Sequence, residues 1–419
     1  MRPDDASTGY DADPARDGVR DRAPAADRRP MRVLMVLESN FPVVGGGGAE
    51  SQVRTLALRL RERGHRVTVL TPLRDPELTP ARIARHDGIP VLRIAYPRVR
   101  LLGSLVLWSR LLVFLARHGR RYDAWHVHIA HHLGALTTMM GRRVGRTVVV
   151  KISGWWELKK GLLRDDGGVV ARVGQRWLRG AHALQAISHR IEAELLRHGF
   201  AHERIVALPN AIDTRRFGVR PAPGADGAPT AVFVGRLVPE KGLGVLLDAW
   251  AAAFPHGGRA RLRLVGAGPL EASLRAQAER LGIASQLEFL GHRADVERIL
   301  AEADFGVLTS TIEGLSNTLL EFMASCLPVV ASRVSGSEDF IVDGRNGWLF
   351  EPGDREALAR RLEEAVGQGR SGLHRLGRNA RSDVASRAGL DVVVDRLLAL
   401  YRGADPARVD APALPPARN

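Results

Sequence analysis

The sequence is poor in cysteine, lysine and aromatic residues, and its apolar runs are short. Among 419 residues there is one cysteine, Cys326, which excludes an intrachain disulfide and a zinc site built from several thiolates. The strongest apolar run covers residues 101–116 and is interrupted by Arg110. It is shorter than the roughly 20 residues that a transmembrane helix needs. Residues 1–30 contain no apolar stretch of the kind found in a signal peptide, so we expect a cytoplasmic protein.

The composition is that of a globular protein, and the net charge has two explanations. Hydrophobic residues make up 45% and charged residues 26% of the chain, which excludes wholesale disorder. The formal net charge is +15, which suits an anionic partner such as nucleic acid, an acidic membrane or a phosphorylated substrate. Only four of the 61 cationic residues are lysines, however, and such an arginine bias is equally typical of codon preference. The net charge alone therefore decides little.

The apolar run at 101–116 has two interpretations. Arg110, Arg117 and Arg121 lie near one face of the predicted helix, and an amphipathic helix of this kind can rest on an anionic membrane. A helix packed into the protein core has the same apolar residues. We leave open whether the protein makes peripheral contact with the inner face of a membrane.

The order of predicted elements indicates an α/β fold with two Rossmann-like domains. A strand at 31–39, a glycine loop, a helix at 50–63 and a strand at 65–71 open the first domain. A segment rich in Pro, Gly and Asp follows, and then the strand–loop–helix pattern restarts. We predict a disordered tail at 1–30, domains at 31–210 and 230–385 joined by a linker at 211–229, a C-terminal helix at 386–402 that returns to the first domain, and a disordered tail at 403–419.

The first glycine-rich loop is a weak candidate for phosphate binding. Gly45 to Gly48 lie between a strand and a helix, where backbone N–H groups bind anions and glycine lets them approach. The loop does not match GxGxxG, and the next strand ends in Leu70-Thr71-Pro72 rather than in an acidic residue for a ribose. These departures disfavour a dehydrogenase. A flexible turn would have the same composition.

The loop after the first strand of the second domain carries two cations. Arg236 and Lys241 flank the sequence LVPE, and ligands of such folds bind at the carboxyl ends of strands. The two side chains can hold a diphosphate, with the guanidinium binding bidentately and the ammonium acting as a point charge. A solvated basic turn is the alternative.

A third loop places two glutamates around the start of a helix. Glu313 lies in the loop and is expected to face the cleft, whereas Glu321 lies about one turn into the helix, where it can accept hydrogen bonds from ribose hydroxyls. The N–H groups near Leu315–Thr318 form a helix N-terminus that suits phosphate. For Glu321 there is an alternative, because Thr318-x-x-Glu321 also fits a capping box.

The histidines of the first domain do not form a metal motif. His126 and His128 alternate along a strand, and no HExxH spacing is present. The domains contain no Asp-x-Asp sequence, because the one in the chain, Asp11-Ala12-Asp13, lies in the predicted tail. We expect no metal cofactor. For the two histidines a polar contact to a ligand is favoured, with a buried core histidine as the alternative.

Taken together, these motifs resemble those of the family-4 retaining glycosyltransferases of the GT-B fold. The resemblance covers about Met31 to Ala399. It rests on motifs that occur in the family's order: Gly47-Gly48-Ala49-Glu50, His126-x-His128, Pro209-Asn210-Ala211-Ile212-Asp213, Phe233 to Leu237, Glu240-Lys241-Gly242, Leu264 to Pro269 and Glu313 to Glu321.

The resemblance implies transfer of a hexose or N-acetylhexosamine, with retention, from a nucleoside diphosphate sugar, most commonly UDP-linked, to a hydroxyl of a glycan, glycolipid or small natural product. The roles it implies are diphosphate binding by Arg236 and Lys241, ribose binding by Glu321, sugar contacts by Glu313 and His128, and sugar or phosphate contacts by Gly47, Gly48, Gly314, Leu315, Ser316 and Asn317. The first domain would bind the acceptor and the second the donor.

Two departures and two alternatives remain. The family often has Asn-Gly where this chain has Asn210-Ala211. It also often has a histidine near the position of Lys151, and this second departure could alter binding of the acceptor. Trp155 and Trp156 follow beside Lys159 and Lys160; they suit sugar stacking, an interfacial anchor or a packed loop equally.

A nucleotide-sugar epimerase of the same fold is the nearest rival, and a nucleic-acid-binding protein is the rival suggested by charge alone.

Overall fold

A computed structural model describes residues 29–42, 47–73, 81–99, 101–164, 166–218, 227–255 and 259–409. The described residues from Met31 onward form one compact unit. Most of the predicted tail at 1–30, part of the glycine loop and residues 219–226 of the predicted linker lie outside the described residues. In the part of the chain that is described, no helix is both long and apolar enough to cross a bilayer.

The first sheet has eight strands in the order β3-β4-β2-β1-β5-β6-β7-β8. All neighbours are parallel except β3 and β4, which form an antiparallel hairpin. Short apolar runs such as RVLMV in β1 suit strands that are buried on both faces. The strands are β1 (Arg32–Val36), β2 (Arg66–Pro72), β3 (Ile83–His86), β4 (Ile89–Ile94), β5 (Ala124–Val127), β6 (Thr147–Ile152), β7 (Ala183–Ala186) and β8 (Ile205–Ala207).

The second sheet has six parallel strands in the order β11-β10-β9-β12-β13-β14. They are β9 (Thr230–Val234), β10 (Arg261–Val265), β11 (Leu287–Gly291), β12 (Phe305–Leu308), β13 (Val329–Ser332) and β14 (Gly347–Phe350). In each sheet the chain order reverses beside the first strand, between β1 and β5 and between β9 and β12. Ligands of doubly wound sheets bind at such switch points, outside the carboxyl ends of the strands.

Helices cover both sheets, as the predicted alternation of strands and helices requires. They are α1 (Gly48–Glu62), α2 (Leu102–His118), α3 (His132–Val144), α4 (Trp155–Lys159), α5 (Gly168–Leu178), α6 (His189–Arg197), α7 (Leu243–Ala253), α8 (Glu271–Arg280), α9 (Val296–Ala301), α10 (Asn317–Ala324), α11 (Ser337–Phe340), α12 (Arg355–Gly367), α13 (Gly369–Ala388) and α14 (Leu390–Tyr401). The α/β class with two Rossmann-like sheets is as predicted.

The last helix packs on the first sheet although it follows the second sheet in sequence. Leu390, Val394 and Leu397 of α14 are buried in one cluster with Val33 of β1 and Val53 of α1. The crossing is fixed where the N–H of Ile212 donates to Ala388 at 2.8 Å and the N–H of Leu390 donates to Ile212 at 2.9 Å. Both passages of the chain between the sheets therefore run side by side.

The C-terminal segment differs from the expected tail in its first residues. Residues 403–409 follow α14 as an ordered turn that contacts β8, and His182 bonds to the carbonyl of Ala404 at 2.9 Å. Pro406 and Val409 are buried. The polar, proline-containing composition of this segment predicted disorder, but the two buried residues hold it against the first sheet. The described part of the segment is therefore packed rather than disordered.

Candidate active site

Lys241 and Glu313 meet at the carboxyl edge of the second sheet. Lys241 follows β9, and Glu313 follows β12, and these strands are neighbours. Their loops are therefore brought to one point, where Lys241 Nζ lies 2.5 Å from Glu313 Oε1. The side chains are 22% and 17% exposed, so the pair is largely shielded but still open to a ligand.

The surrounding backbone fixes the two side chains in place. Ser310 donates from Oγ to Glu313 Oε1 at 2.8 Å, and Thr309 donates from Oγ1 to the carbonyl of Lys241 at 2.7 Å. Gly242 has φ of +63°, and a Cβ there would lie 2.1 Å from the Thr309 carbonyl oxygen. Only glycine lets the two loops approach this closely.

The side chain of Arg236 is available to bind an anion at the carboxyl edge of the second sheet. Its side chain is exposed, and no hydrogen bond or ion pair joins it to any of the described residues. The loop that carries it is anchored by the N–H of Leu237, which donates to Ala267 at 3.0 Å. An anion approaching the Lys241–Glu313 pair can therefore recruit Arg236 without breaking an existing contact.

Helix α10 begins at Asn317, within the helix start predicted near Leu315–Thr318, and Ser316 is its N-cap. Ser316 Oγ accepts a hydrogen bond from the N–H of Leu319 at 3.4 Å. This register removes the capping box considered for Thr318 and Glu321, because the residue three positions after the cap is Leu319. The N-terminus of α10 lies just after Gly314 and Leu315, beside Glu313, and its first N–H groups suit an anion.

The side chain of Asn317 joins the two halves of the molecule. Its Nδ2 donates to the carbonyl of Gly48 at 3.1 Å, and its Oδ1 accepts from Gln52 at 3.2 Å and from Asn210 at 2.9 Å. Asn210 also donates to the Leu315 carbonyl at 3.2 Å. The end of the glycine loop is thus held against the loop that carries Glu313.

Gly314 makes a second contact between the halves. A Cβ on Gly314 would lie 2.8 Å from Gly154 Cα and 3.1 Å from the Ser153 carbonyl oxygen. Ser335 Oγ donates to the Gly314 carbonyl at 2.8 Å and lies 2.7 Å from Ser188 Oγ. The loop of Glu313 is therefore packed against the carboxyl edge of the first sheet.

Glu321 lies on α10, five residues after its N-cap Ser316. It lines a crevice between α1 and α10 whose other walls include Thr55, Asp213 and Arg216. Burial raises the pKa of its carboxyl to about 7; Arg216 opposes this shift and Glu297 adds to it. The role of Glu321 in ribose binding stays a prediction.

His126 and His128 are both fully buried. Their rings contact each other at a tilt of 32° with centroids 4.1 Å apart, and His126 Nδ1 bonds to Tyr401 Oη at 2.7 Å. Burial holds the pKa of both imidazoles below the usual range and lowers the pKa of neighbouring Lys151 to about 7. In this structure His128 therefore does not open onto the gap between the halves, and its contact with a donor sugar stays a prediction.

Sequence reasoning missed Glu157, which organises the carboxyl edge of the first sheet. Its carboxylate accepts hydrogen bonds from the N–H groups of Ala130 at 2.8 Å, Ser153 at 2.5 Å and Gly154 at 3.0 Å. Burial raises its pKa to about 7 although these bonds oppose the shift. A glutamate three residues after a glycine at a short helix start was the available signal.

The described residues contain no cluster of histidine, cysteine and acidic side chains that is suited to a metal ion. The groups that surround the gap are instead two cations, a helix N-terminus and carboxylates. This set can bind a dianion such as a diphosphate and hydroxyl groups next to it.

Two family models match the chain, one on each half. The model of Glycosyltransferase Family 4 matches residues 46–216, and the model described as Glycosyl transferases group 1 matches residues 228–368. The boundary between the two matches falls between the two sheets.

Curated relatives fall into partial and full-length matches. The lipopolysaccharide core biosynthesis glycosyltransferase LpsE of Rhizobium meliloti is 32% identical over 41% of this chain and 49% of its own length. The chain thus spans about half of that relative, and the same is true of WcaL from Escherichia coli, at 48%. The GDP-mannose-dependent alpha-mannosyltransferase of Mycobacterium tuberculosis is 30% identical over 88% of this chain and 96% of its own.

Solved structures share the fold at low identity. Anabaena HepE in complex with UDP has a TM-score of 0.71 and 22% identity over 88% of this chain and 98% of that one. The lipopolysaccharide biosynthesis glycosyltransferase WaaG has a TM-score of 0.63 and 21% identity over 89% and 100%. At these identities the likeness shows the arrangement of the two halves and nothing about ligands.

Proposed function

Because this chain belongs to glycosyltransferase family 4, we propose that it is a retaining enzyme acting on a nucleoside diphosphate sugar. It moves a hexose or N-acetylhexosamine to a hydroxyl of a glycan, glycolipid or small natural product. Its fold is GT-B, as predicted. LpsE and WcaL, which this chain matches over about half of their length, are named for lipopolysaccharide core and colanic acid biosynthesis, and this supports a role in glycan assembly. A cytoplasmic location is part of the proposal.

The pairing of Lys241 with Glu313 carries the proposal. A cation for the diphosphate and a carboxylate for sugar hydroxyls lie 2.5 Å apart at the switch point of the second sheet. Arg236 and the N-terminus of α10 add positive charge at the same place. The nucleotide-sugar epimerase and the nucleic-acid-binding protein have no comparable observation in their favour.

The proposed reaction breaks the bond between the anomeric carbon and the diphosphate oxygen. Negative charge develops on the leaving diphosphate, and preorganised cations and N–H groups stabilise it. Arg236, Lys241 and the start of α10 supply this stabilisation without a divalent metal. We favour attack of the acceptor from the same face, with the leaving phosphate oxygen accepting the acceptor proton, which gives retention.

The nucleotide of the donor is part of the proposal. The HepE structures contain UDP and UDP-glucose, whereas the full-length relative is named for GDP-mannose. We keep a UDP-linked sugar as the proposed donor and treat GDP-mannose as the competing outcome.

A hydrolysis screen tests the function. The purified protein is incubated with UDP- and GDP-linked hexoses and N-acetylhexosamines in the presence of EDTA, and proton NMR follows the anomeric signals. We expect slow release of free sugar and nucleoside diphosphate from one donor, with the donor's anomeric configuration in the first product. Intact donors throughout the panel would contradict the proposal.

We also propose peripheral contact with an anionic membrane through α2. Leu101, Leu102, Leu105 and Val113 are 75%, 51%, 57% and 48% exposed. Arg110 is exposed beside them, and α2 ends in Arg117 and His118. An apolar stripe flanked by cations is typical of a helix that lies in the membrane interface.

Vesicle flotation tests the membrane contact. The parent protein should float with vesicles that contain phosphatidylglycerol and not with phosphatidylcholine vesicles. Leu105→Asp should weaken this binding, whereas Leu281→Asp, at a 37% exposed position of the second half, should not. Equal flotation of both variants would remove α2 from the proposal.

A further inference from the structure

A row of aromatic rings crosses the carboxyl edge of the first sheet. Trp108 of α2 lies 5.2 Å from His132, measured between ring centroids; His132 lies 4.2 Å from His131; and His131 lies 5.2 Å from Trp156. Trp156 is 54% exposed. Rings of this kind offer apolar faces and polar edges to one ligand.

A carboxylate orients the histidine beside Trp156. Glu38 Oε1 lies 2.8 Å from His131 Nδ1, and Glu38 Oε2 accepts the N–H of Leu133 at 2.9 Å. The bond to Glu38 holds the imidazole so that its other nitrogen, Nε2, remains for a hydroxyl group. Glu38 follows β1 and His131 follows β5, so the pair occupies the switch point of the first sheet.

This region is connected directly to the loop of the donor site. Glu157 bonds to the N–H of Ala130, next to His131, and also to the N–H of Gly154. Gly154 in turn packs against Gly314, the residue after Glu313. The segment of His131 is therefore linked to the loop of Glu313 through Glu157 and Gly154.

We propose that Trp156, His131 and Glu38 form the binding subsite for a pyranose residue of the acceptor. An aromatic face stacks on the C–H groups of a sugar ring, and an oriented imidazole binds one of its hydroxyls. Aromatic side chains combined with a small number of placed polar groups are typical of ligand sites. The proposal rests on the proposed glycosyl transfer and specifies its acceptor as a glycan or glycolipid rather than a non-sugar natural product.

Saturation-transfer NMR with methyl hexopyranosides tests the subsite. The probes are the methyl glycosides of glucose, galactose and mannose in both anomeric forms, each with UDP or GDP present. We expect at least one to receive saturation from the parent protein. Trp156→Ala should weaken its affinity by about 10-fold or more, as for an aromatic anchor, whereas Trp156→Phe should retain most of the signal.

The control is Trp177→Ala. Trp177 lies at the end of α5 and lines a pocket with Arg142 and Arg143 of the last turn of α3, so it sits at the opposite, amino edge of the sheet. This variant should bind the glycoside like the parent.

The outcomes separate the subsite from the proposed function. Nucleotide affinity is measured by calorimetry on the same samples. Undiminished glycoside binding by Trp156→Ala, or a parent protein that binds nucleotide but none of the glycosides, overturns the subsite and leaves the glycosyltransferase proposal standing. A parent protein that binds neither UDP nor GDP counts against the proposed function, and the glycoside signal of Trp156→Ala then decides the subsite alone.

Discussion

At the scale of single residues, Lys241 and Glu313 balance each other's charge. Removing water from either side chain alone would be costly, and the ion pair offsets that cost. A bound diphosphate adds two negative charges beside Lys241, so it competes with Glu313 for the ammonium group. Glu313 then becomes available to accept hydrogen bonds from sugar hydroxyls.

Lys241→Ala and Arg236→Ala are each expected to lower the rate of donor cleavage by about 100-fold or more. Each removes a preorganised group that stabilises the developing charge on the leaving diphosphate, and losses of this size are typical of such groups. Steady-state kinetics of donor hydrolysis measures the effect. Arg280→Ala, which removes an exposed cation at the end of α8, is the control and should keep the parent rate. Near-parent rates in both active-site variants would exclude the proposed role.

Glu321 should make donor binding depend on pH. Its pKa is raised to about 7 without ligand, and a carboxylate that accepts hydrogen bonds from ribose hydroxyls favours the ionised form. Binding should therefore release a proton, and the affinity for UDP-glucose should increase as pH rises from about 6 to 8. Calorimetry in buffers of different ionisation enthalpy measures both effects. UDP-glucose is used because its diphosphate does not titrate in this range.

Glu321→Gln is the matched variant for this pH dependence. It cannot ionise, so its affinity for UDP-glucose should not change through this group between pH 6 and 8. If the variant keeps the pH dependence of the parent, then another group titrates, and Glu321 does not ionise when the donor binds.

The same raised pKa makes the stability of the ligand-free fold decrease with pH, whereas donor affinity increases. The folded protein favours protonated Glu321, so the stabilisation is fully present below about pH 4.5 and is lost as pH rises through about 7. In the parent protein without ligand, this group should therefore destabilise the fold at pH 8 relative to pH 5. Comparing the midpoints of urea unfolding of the parent and Glu321→Gln at both pH values isolates this contribution.

At the scale of elements, the contact of the Glu313 loop with the turn at Ser153–Gly154 requires a glycine. Gly314→Ala should push these segments apart, because the new methyl would lie 2.8 Å from Gly154 Cα. We expect the rate of sugar transfer or hydrolysis to fall by about 10-fold or more, since small misplacements of reacting groups are costly.

Gly367→Ala is the control for this substitution. Gly367 ends α12, and a Cβ there would meet no atom within 4 Å. Circular dichroism should show the same helix content in both variants. Equal rates would mean that the contact at Gly314 does not position the site.

Most elements were predictable because the strands are short apolar runs bounded by glycine, proline or polar residues. The strand predicted at 31–39, the helix predicted at 50–63 and the strand predicted at 65–71 correspond to β1, α1 and β2, and no bound differs by more than three residues. The hairpin of β3 and β4 was missed, although its turn Asp87-Gly88, with φ of 49° and 75°, is among the strongest hairpin signals in a sequence.

The site was predictable only in part, for a physical reason. Lys241 and Glu313 could each be assigned to the carboxyl edge from the strand before it, since parallel strands share that edge. The contacts of Asn317 with Gly48, Gln52 and Asn210 could not, because they join segments that are distant in sequence. Which loops touch depends on how the two halves pack, and no local pattern encodes that.

At the scale of the whole molecule, side-chain bonds hold the two halves together without a ligand. Asn317 bonds to Gly48, Gln52 and Asn210, and Arg190 of α6 forms an ion pair with Glu338 of α11. The connections at Ile212 and Leu390 lie side by side, so the chain crosses between the halves at one narrow place. This arrangement suits rotation of one half against the other.

Asn317→Ala should shift the molecule toward an open form. It removes three hydrogen bonds worth about 0.5–1.5 kcal/mol each. Small-angle scattering should give a larger radius of gyration than the parent without nucleotide and a larger decrease when nucleotide is added. Asn379→Ala, which removes one exposed hydrogen bond to Arg345, should scatter like the parent. No compaction of any variant by nucleotide would contradict closure.

The central claim is that the gap between the halves binds the donor diphosphate through Arg236 and Lys241. A crystal structure with the nucleoside diphosphate released in the hydrolysis screen tests it most directly. We predict that the phosphate oxygens lie within hydrogen-bonding distance of Lys241 Nζ and the Arg236 guanidinium, beside the first turn of α10. A nucleotide bound elsewhere, with both cations turned to solvent, would contradict the account.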